Sequence, residues 1–214
     1  MPNWVTSKIT GVSLEEIQPY ISEYDNGEKY LDFNKIIPMP KELDIESGSM
    51  LDEGMKIIND NVLSVEYINS LSDEEKACLN LGFKGLYNKL HYGFKDWYDW
   101  CWKNWGTKWN SHYCEFYDGE IYISTAWAFP TPVIQQLSKI LCKTIGFVYA
   151  DEDVGSNTGE GEFECGEMGY INNPEYGSCE ALELYKEAQC DEDTPIVQDD
   201  NGVWRLDWGD EDVA

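Results

Sequence analysis

Residues 112–127 read HYCEFYDGEIYISTAW, two runs of alternating side chains on either side of Asp118-Gly119. Alternation is the period of a strand, because successive side chains of a pleated chain point to opposite faces. A two-residue Asp-Gly link between such runs predicts a hairpin closed by a type I′ turn, whose positive φ angles these residues tolerate. In the register that turn imposes, Cys114 and Phe116 share a face with Ile121, Ile123 and Trp127. Tyr113, Tyr117 and Tyr122 take the other face, beside Glu115 and Glu120. An antiparallel pair is thereby set in the middle of the chain, and the flanks are read outward from it.

Upstream, MPNWVTSKIT (1–10) places Val5, Ser7 and Ile9 on one side and predicts an opening strand. Ser13 and Glu16 have the spacing of a capping box, in which each side chain satisfies a free backbone donor of a new helix. Leu14, Ile17, Ile21 and Tyr24 continue it at helical spacing, with a kink expected at Pro19. YLDFNKIIP (30–38) predicts a second strand, stopped by Pro38 and Pro40. Residues 41–71 are polar and weakly patterned and predict an insertion with a short helix. Ser72 with Glu75 is a second capping box. It opens a long helix whose Leu86, Tyr87, Leu90, Phe94, Trp97, Tyr98 and Cys101 form one apolar stripe, ended by Gly106.

Downstream, Thr131 caps a helix with Pro132 at its first position. Val133, Ile134, Leu137 and Leu141 form its buried stripe, and Gly146 ends it. FVYA (147–150) and GEFECGEMGYI (161–171) predict strands, SCEALELYKEAQ (178–189) an amphipathic helix, and TPIVQDDNGVWRLDW (194–208) a hairpin around Asn201-Gly202. The fold class expected is α+β: a ferredoxin-like antiparallel sheet with helices packed on one face. It occupies residues 1–155, with a helical insertion at about 41–105. An acidic C-terminal extension, 156–214, adds a strand, a short helix and a hairpin to the same domain.

The composition of the 214 residues, 42% hydrophobic and 14% aromatic, is that of a chain with a core and excludes a disordered acidic tail. The N-terminus lacks a basic flank followed by an apolar run, and no apolar stretch approaches the roughly 18–20 residues of a membrane span. The expected location is the bacterial cytoplasm, with no membrane partner. The seven cysteines form an odd set without a CxxC pair, and in a reducing compartment they read as small buried hydrophobes. His112 and Cys114 share a strand face, but no second ligand pair follows at zinc-site spacing, and no metal or other cofactor is expected.

Four ordered motifs, MPNWV (1–5), IIPMP (36–40), NWGTKWN (104–110) and STAWAFPTPVIQQLS (124–138), resemble those of the YubB-like ferredoxin-fold family of bacteriophages, prophages and plasmids. The resemblance covers about residues 1–155. It implies a ferredoxin-like fold and a mobile-element origin. It implies no chemistry and carries no catalytic residues across.

Two features compete as the functional site. WYDWCWKNWGTKW (97–109) holds five of the nine tryptophans on the chain's one locally basic stretch. Helical phase puts Trp97, Cys101 and Trp105 on the buried stripe, and Trp97, Trp105, Trp109 and Trp127 are expected in the core, filling the gap between the long helix and the sheet. Trp100 and Trp102 then point outward and, with Lys103 and Lys108, form a stacking platform for a base of single-stranded nucleic acid. The other feature is charge. Residues 151–214 hold twenty Asp and Glu against Lys186 and Arg205, and the whole chain carries −26. Asp151, Glu152, Asp153, Glu160, Glu162, Glu164, Asp191, Glu192, Asp193, Asp199 and Asp200 are the candidate partner-binding residues. Duplex DNA carries one charge per roughly 1.7 Å of axis, and rows of carboxylates can imitate that field.

A calcium loop in DEDVGSNTGEGE (151–162) fails, because Gly155 stands at a ligand position and Ser156 where glycine is required. There is no phosphate loop, no nucleophile elbow, and no third group to orient His91 or His112. The expected protein is a non-enzymatic inhibitor of a host nucleic-acid-handling defence complex, of anti-CRISPR or anti-restriction type. It imitates nucleic acid and does not bind duplex DNA itself.

Overall fold

The computed structural model describes residues 2–191 and 193–208. The chain divides into two compact units, Met1–Ile37 with Trp105–Ala214, and Pro38–Asn104. In the first unit, β1 (Trp4–Thr10) leads to α1 (Leu14–Ile17). The predicted capping box opens α1: Ser13 Oγ accepts the Glu16 N–H at 3.4 Å and the Glu16 carboxylate accepts the Ser13 N–H at 2.9 Å. The expected helix through Tyr24 does not form. Pro19 has no N–H with which to continue it, so residues 18–20 tighten into a 3₁₀ turn and the chain extends as β2 (Ile21–Glu23).

The strand expected over 30–38 is also corrected. Only Lys29–Leu31 is extended, as β3 paired with β2. Asp32 then accepts the Asn34 N–H at 3.1 Å and caps α2 (Phe33–Ile36). A short carboxylate beside its own backbone offers this alternative to a ladder. Residues 110 and 111 lock the turn. Asn110 accepts the Phe33 N–H at 2.8 Å and donates to Asp32 at 3.0 Å, and Ser111 Oγ accepts the Leu31 N–H at 2.8 Å.

In the unit Pro38–Asn104 the helices are α3 (Ser49–Asp60), α4 (Val65–Ser70), α5 (Asp73–Tyr92) and α6 (Trp97–Asn104). The single long helix expected from Ser72 is broken at Gly93, which takes φ +83° and donates to Lys89 O at 3.1 Å. The expected apolar stripe is likewise not the buried one. Tyr87 and Leu90 are 52% and 81% exposed, whereas Cys78, Leu79, Gly82, Gly85 and Asn88 are buried. The reason is the glycine content of the helices. Gly54 and Gly82 face each other with no room for a β-carbon on either, so α3 and α5 meet backbone to backbone.

The main sheet returns in the first unit. Its remaining strands are β4 (Cys114–Tyr117), β5 (Glu120–Ala126), β6 (Thr144–Asp151), β7 (Gly159–Glu164) and β8 (Glu167–Asn172). The order is β4-β5-β1-β6-β7-β8, antiparallel throughout. The four strands β4-β5-β1-β6, with helix α7 (Thr131–Leu141) between β5 and β6, form the ferredoxin-like frame. The β4–β5 hairpin turns at Asp118 (φ +49°) and Gly119 (φ +83°), and pairs Cys114 with Ile123 and Phe116 with Ile121.

A second turn of the same hand, Cys165 (φ +48°) and Gly166 (φ +89°), splits the strand expected over 161–171 into β7 and β8. Two boundaries of α7 also move. Pro130 stands at its N-cap, and left-handed Cys142 ends it, while Gly146 lies inside β6.

Val5, Ile9, Ile121, Ile123, Ile145, Phe147 and Phe163 are buried on one face of the sheet. Phe129, just ahead of α7, stacks there on Phe147 at 4.4 Å and Tyr149 at 4.9 Å. The C-terminal extension covers part of the opposite face. Helix α8 (Cys179–Ala188) packs Leu184 and Ala188 on Val148 and Ala150. A last hairpin, β9 (Ile196–Gln198) and β10 (Trp204–Leu206), lies against α8. Among the described residues no helix is long and apolar enough to cross a membrane.

Candidate functional site

On the α8 side of the sheet the register aligns Glu115, Tyr122, Lys8, Val148, Glu160 and Asn172 in one row across six strands. Apolar Val148 is the point α8 sits on. To one side lies an open groove of about 970 Å³ between α8 and the β4–β5 hairpin. Lys8 Nζ stands in it, 3.0 Å from Glu120 and 3.2 Å from Glu187. The Tyr122 hydroxyl donates to Glu120 at 3.1 Å. Burial and then the bonds to Cys190 and Glu120 raise the Tyr122 pKa, so this hydroxyl keeps its proton. Lys8 and Lys186 are the cations of the groove lining, against Asp118, Glu120, Glu183, Glu187, Asp191 and Asp193.

To the other side of α8, alternation along β7 puts Glu160, Glu162 and Glu164 on this same face, about 6.8 Å apart. Tyr170 pairs with Glu162. Burial and then Glu160 and Glu162 raise its pKa. Glu180, Glu183 and Glu187 are spaced by three and four along α8, one stripe of the helix. Asn172 joins the two rows, donating to Glu160 at 3.2 Å and to Glu180 at 2.8 Å. The face is therefore built of ionised acceptors and few donors. It suits lysine and arginine side chains and repels phosphate. Among the described residues no group of three or more His, Cys, Asp or Glu could hold a metal ion.

The sequence-predicted acids separate into two kinds. Asp151 is buried, contrary to its expected place on a binding surface. It accepts from Asn3 at 3.1 Å and from the Asp153 N–H at 3.0 Å. Asp153 accepts from Asn3 at 3.0 Å, so both serve the turn after β6. Asp199 shapes the last hairpin by accepting the Asn201 and Val203 N–H groups at 2.8 and 3.0 Å, and these bonds hold its carboxyl below the usual range. Glu152, Asp193 and Asp200 are exposed, Asp191 accepts the Thr194 N–H at 3.1 Å, and Glu192 lies outside the described residues. Of the predicted set, Glu160, Glu162 and Glu164 share the face, and Asp191 and Asp193 line the groove.

The tryptophan expectation is corrected. Trp100 is only 7% exposed, and Trp109 and Trp127, expected in the core, are 39% and 44% exposed. The break at Gly93 resets the helical phase, so α6 turns Trp100 and Cys101 inward. Trp127 leaves β5 on a positive φ of 70°. Trp102 is half-buried and Lys103 exposed in the unit Pro38–Asn104, while Lys108 belongs to the other unit and lies 4.4 Å over the Trp109 ring. Trp105 does fasten the core: its indole N–H donates to Ile37 O at 2.9 Å.

Sequence reasoning missed Lys8, Glu120, Glu183, Glu187 and Cys190. The i, i+3, i+7 spacing of Glu180, Glu183 and Glu187 could have revealed the helical row. The cysteines are also not uniformly buried: Cys142, Cys165 and Cys190 are exposed.

The family model of the ferredoxin-like domain in Api92-like protein matches residues 104–194. That span runs from the end of α6 beyond α8. Among curated proteins none matches. The crystal structure of the protein api92 from Yersinia pseudotuberculosis covers 83% of this chain and 100% of its own, at 9% identity and a TM-score of 0.38. The family model is that of a ferredoxin-like domain, in agreement with the sheet order.

Proposed function

We propose that this chain is a non-enzymatic acidic binding protein whose α8 face occupies a basic, nucleic-acid-handling groove of a host protein. The observation that carries the reading is the meeting of two acidic rows, Glu160, Glu162 and Glu164 on β7 and Glu180, Glu183 and Glu187 on α8, on one face. A partner that grips phosphates with arginine and lysine meets there the charge it is built for. The motif resemblance to YubB-like proteins supports a mobile-element origin, and with it a target in host defence, of anti-CRISPR or anti-restriction type. The resident site is cytoplasmic on this reading.

The test is capture of host proteins on the immobilised chain at rising salt, with duplex DNA as competitor. The expected captured protein binds DNA, is displaced by it, and is released as ionic strength rises. Charge reversal at Glu162, Glu164 and Glu183 abolishes capture. A partner held equally with and without DNA, at all salt concentrations and by the charge-reversed variant, sinks the proposal.

A further inference from the structure

Two exposed thiols outside the acidic groove meet at 3.0 Å, Cys142 Sγ and Cys165 Sγ. Each ends an element in the left-handed region, Cys142 (φ +50°) after α7 and Cys165 (φ +48°) in the β7–β8 turn. L-residues with a β-carbon seldom sit there, and both positions are held by a shared hydrogen-bond set. The Cys142 N–H donates to Lys139 O at 3.3 Å and the Cys165 N–H to Lys143 O at 3.1 Å. The Ser138 hydroxyl is shared between the carbonyls of Lys143 (2.7 Å) and Phe163 (3.0 Å), and it accepts the Gly166 N–H at 3.1 Å. Gln135 donates to Gly166 O at 2.8 Å. The end of the helix and the tip of the turn are therefore docked by their backbones, and docking places the thiols together.

We propose that Cys142 and Cys165 are a dithiol–disulfide modification site that staples the end of α7 to the β7–β8 turn. With oxidised glutathione as the oxidant, one thiolate attacks a glutathione sulfur, forming a mixed disulfide and releasing one glutathione thiolate, which takes up a proton. The second protein thiol gives its proton to solvent. Its thiolate then attacks the protein sulfur of the mixed disulfide and expels the second glutathione. Two protein thiols are oxidised and one glutathione disulfide is reduced to two thiols. The staple fixes the hairpin whose β7 carries the acidic row, and a reducing thiol reopens it.

The experiment treats the full chain with oxidised glutathione and maps cysteine peptides by mass spectrometry, with Cys142→Ser and Cys165→Ser as variants. The expected result is one cross-link, 142 to 165, with Cys78, Cys101, Cys114 and Cys179 left as thiols. The melting temperature rises by roughly 5–10 °C, because the closed loop restricts the unfolded chain, and dithiothreitol reverses the rise. Each single variant instead retains a glutathione adduct on its remaining cysteine and shows no rise. Stable glutathione adducts on both residues of the unsubstituted chain, cross-links to other cysteines, or unreacted thiols at 142 and 165 overturn the proposal.

Discussion

Glu16 does two things at one place in the chain. Its carboxylate closes the capping box with Ser13, and it lies 2.6 Å from Lys143 Nζ at the entry to β6. The bond from Lys143, then those from the Ser13 backbone and hydroxyl, pull its pKa down to about 2. A carboxyl with a folded pKa below its unfolded value stabilises the fold above the unfolded pKa, near 4.5, and loses that contribution as pH falls toward the folded one. The window is therefore about pH 4.5 to 2. Glu16→Gln keeps a capping partner but not the charge. The stability difference between the two proteins, from urea midpoints, is expected to be constant at neutral pH and to vanish by about pH 2. A difference independent of pH would leave Glu16 as a cap alone. Half of this was legible, since S-x-x-E spells the box. The lysine lies more than a hundred residues away and could come only from the folded sheet.

At the scale of elements, the capping boxes and the Asp-Gly turn were read well. Pro19 and the Asp32 cap overrode the expected helix through Tyr24 and strand over 30–38, and contacts between segments were not legible. Asp118-Gly119 announced its hairpin because turn chemistry is local, and β5 took the expected register. The hidden β7–β8 turn uses Cys165 at positive φ, a residue with no turn preference to read. The α3–α5 pair was illegible for a different reason. Hydrophobic periodicity reports large apolar side chains, and here the contact is made by Gly54 and Gly82, which have none.

That geometry predicts an order of damage. A β-carbon at Gly82 meets the Gly54 backbone, which cannot yield without separating the helices. At Gly85 it meets Leu51 Cδ1, the end of a side chain that can rotate. Gly82→Ala is expected to cost about 2–3 kcal/mol, as overpacking of a close contact does. Gly85→Ala should cost clearly less, with helix propensity partly offsetting it. Far-UV circular dichroism through a urea titration measures both. Equal costs would mean that the helices are not in backbone contact.

Charge was legible at the scale of the molecule because it needs no fold to be counted: −26 overall, with the excess after residue 150. Its arrangement was not. The turn acids Asp151 and Asp199 drew notice as runs but are tied into hydrogen bonds, while the α8 row went unread. A face of carboxylates with few cations repels itself and weakens the fold that carries it. If the acids of β7 and α8 serve a partner rather than the fold, neutralising them stabilises the isolated protein. Glu162→Gln, Glu164→Gln and Glu183→Gln combined should raise the melting temperature by a few degrees at about 0.01 M salt. The gain should shrink toward zero near 1 M, where the screening length falls from about 30 Å to about 3 Å. The same variant should lose the DNA-displaceable partner. A fall in melting temperature at low salt would assign these carboxylates to the architecture. The paired outcome, a more stable protein that no longer binds, is expected of a surface shaped by recognition at the expense of stability.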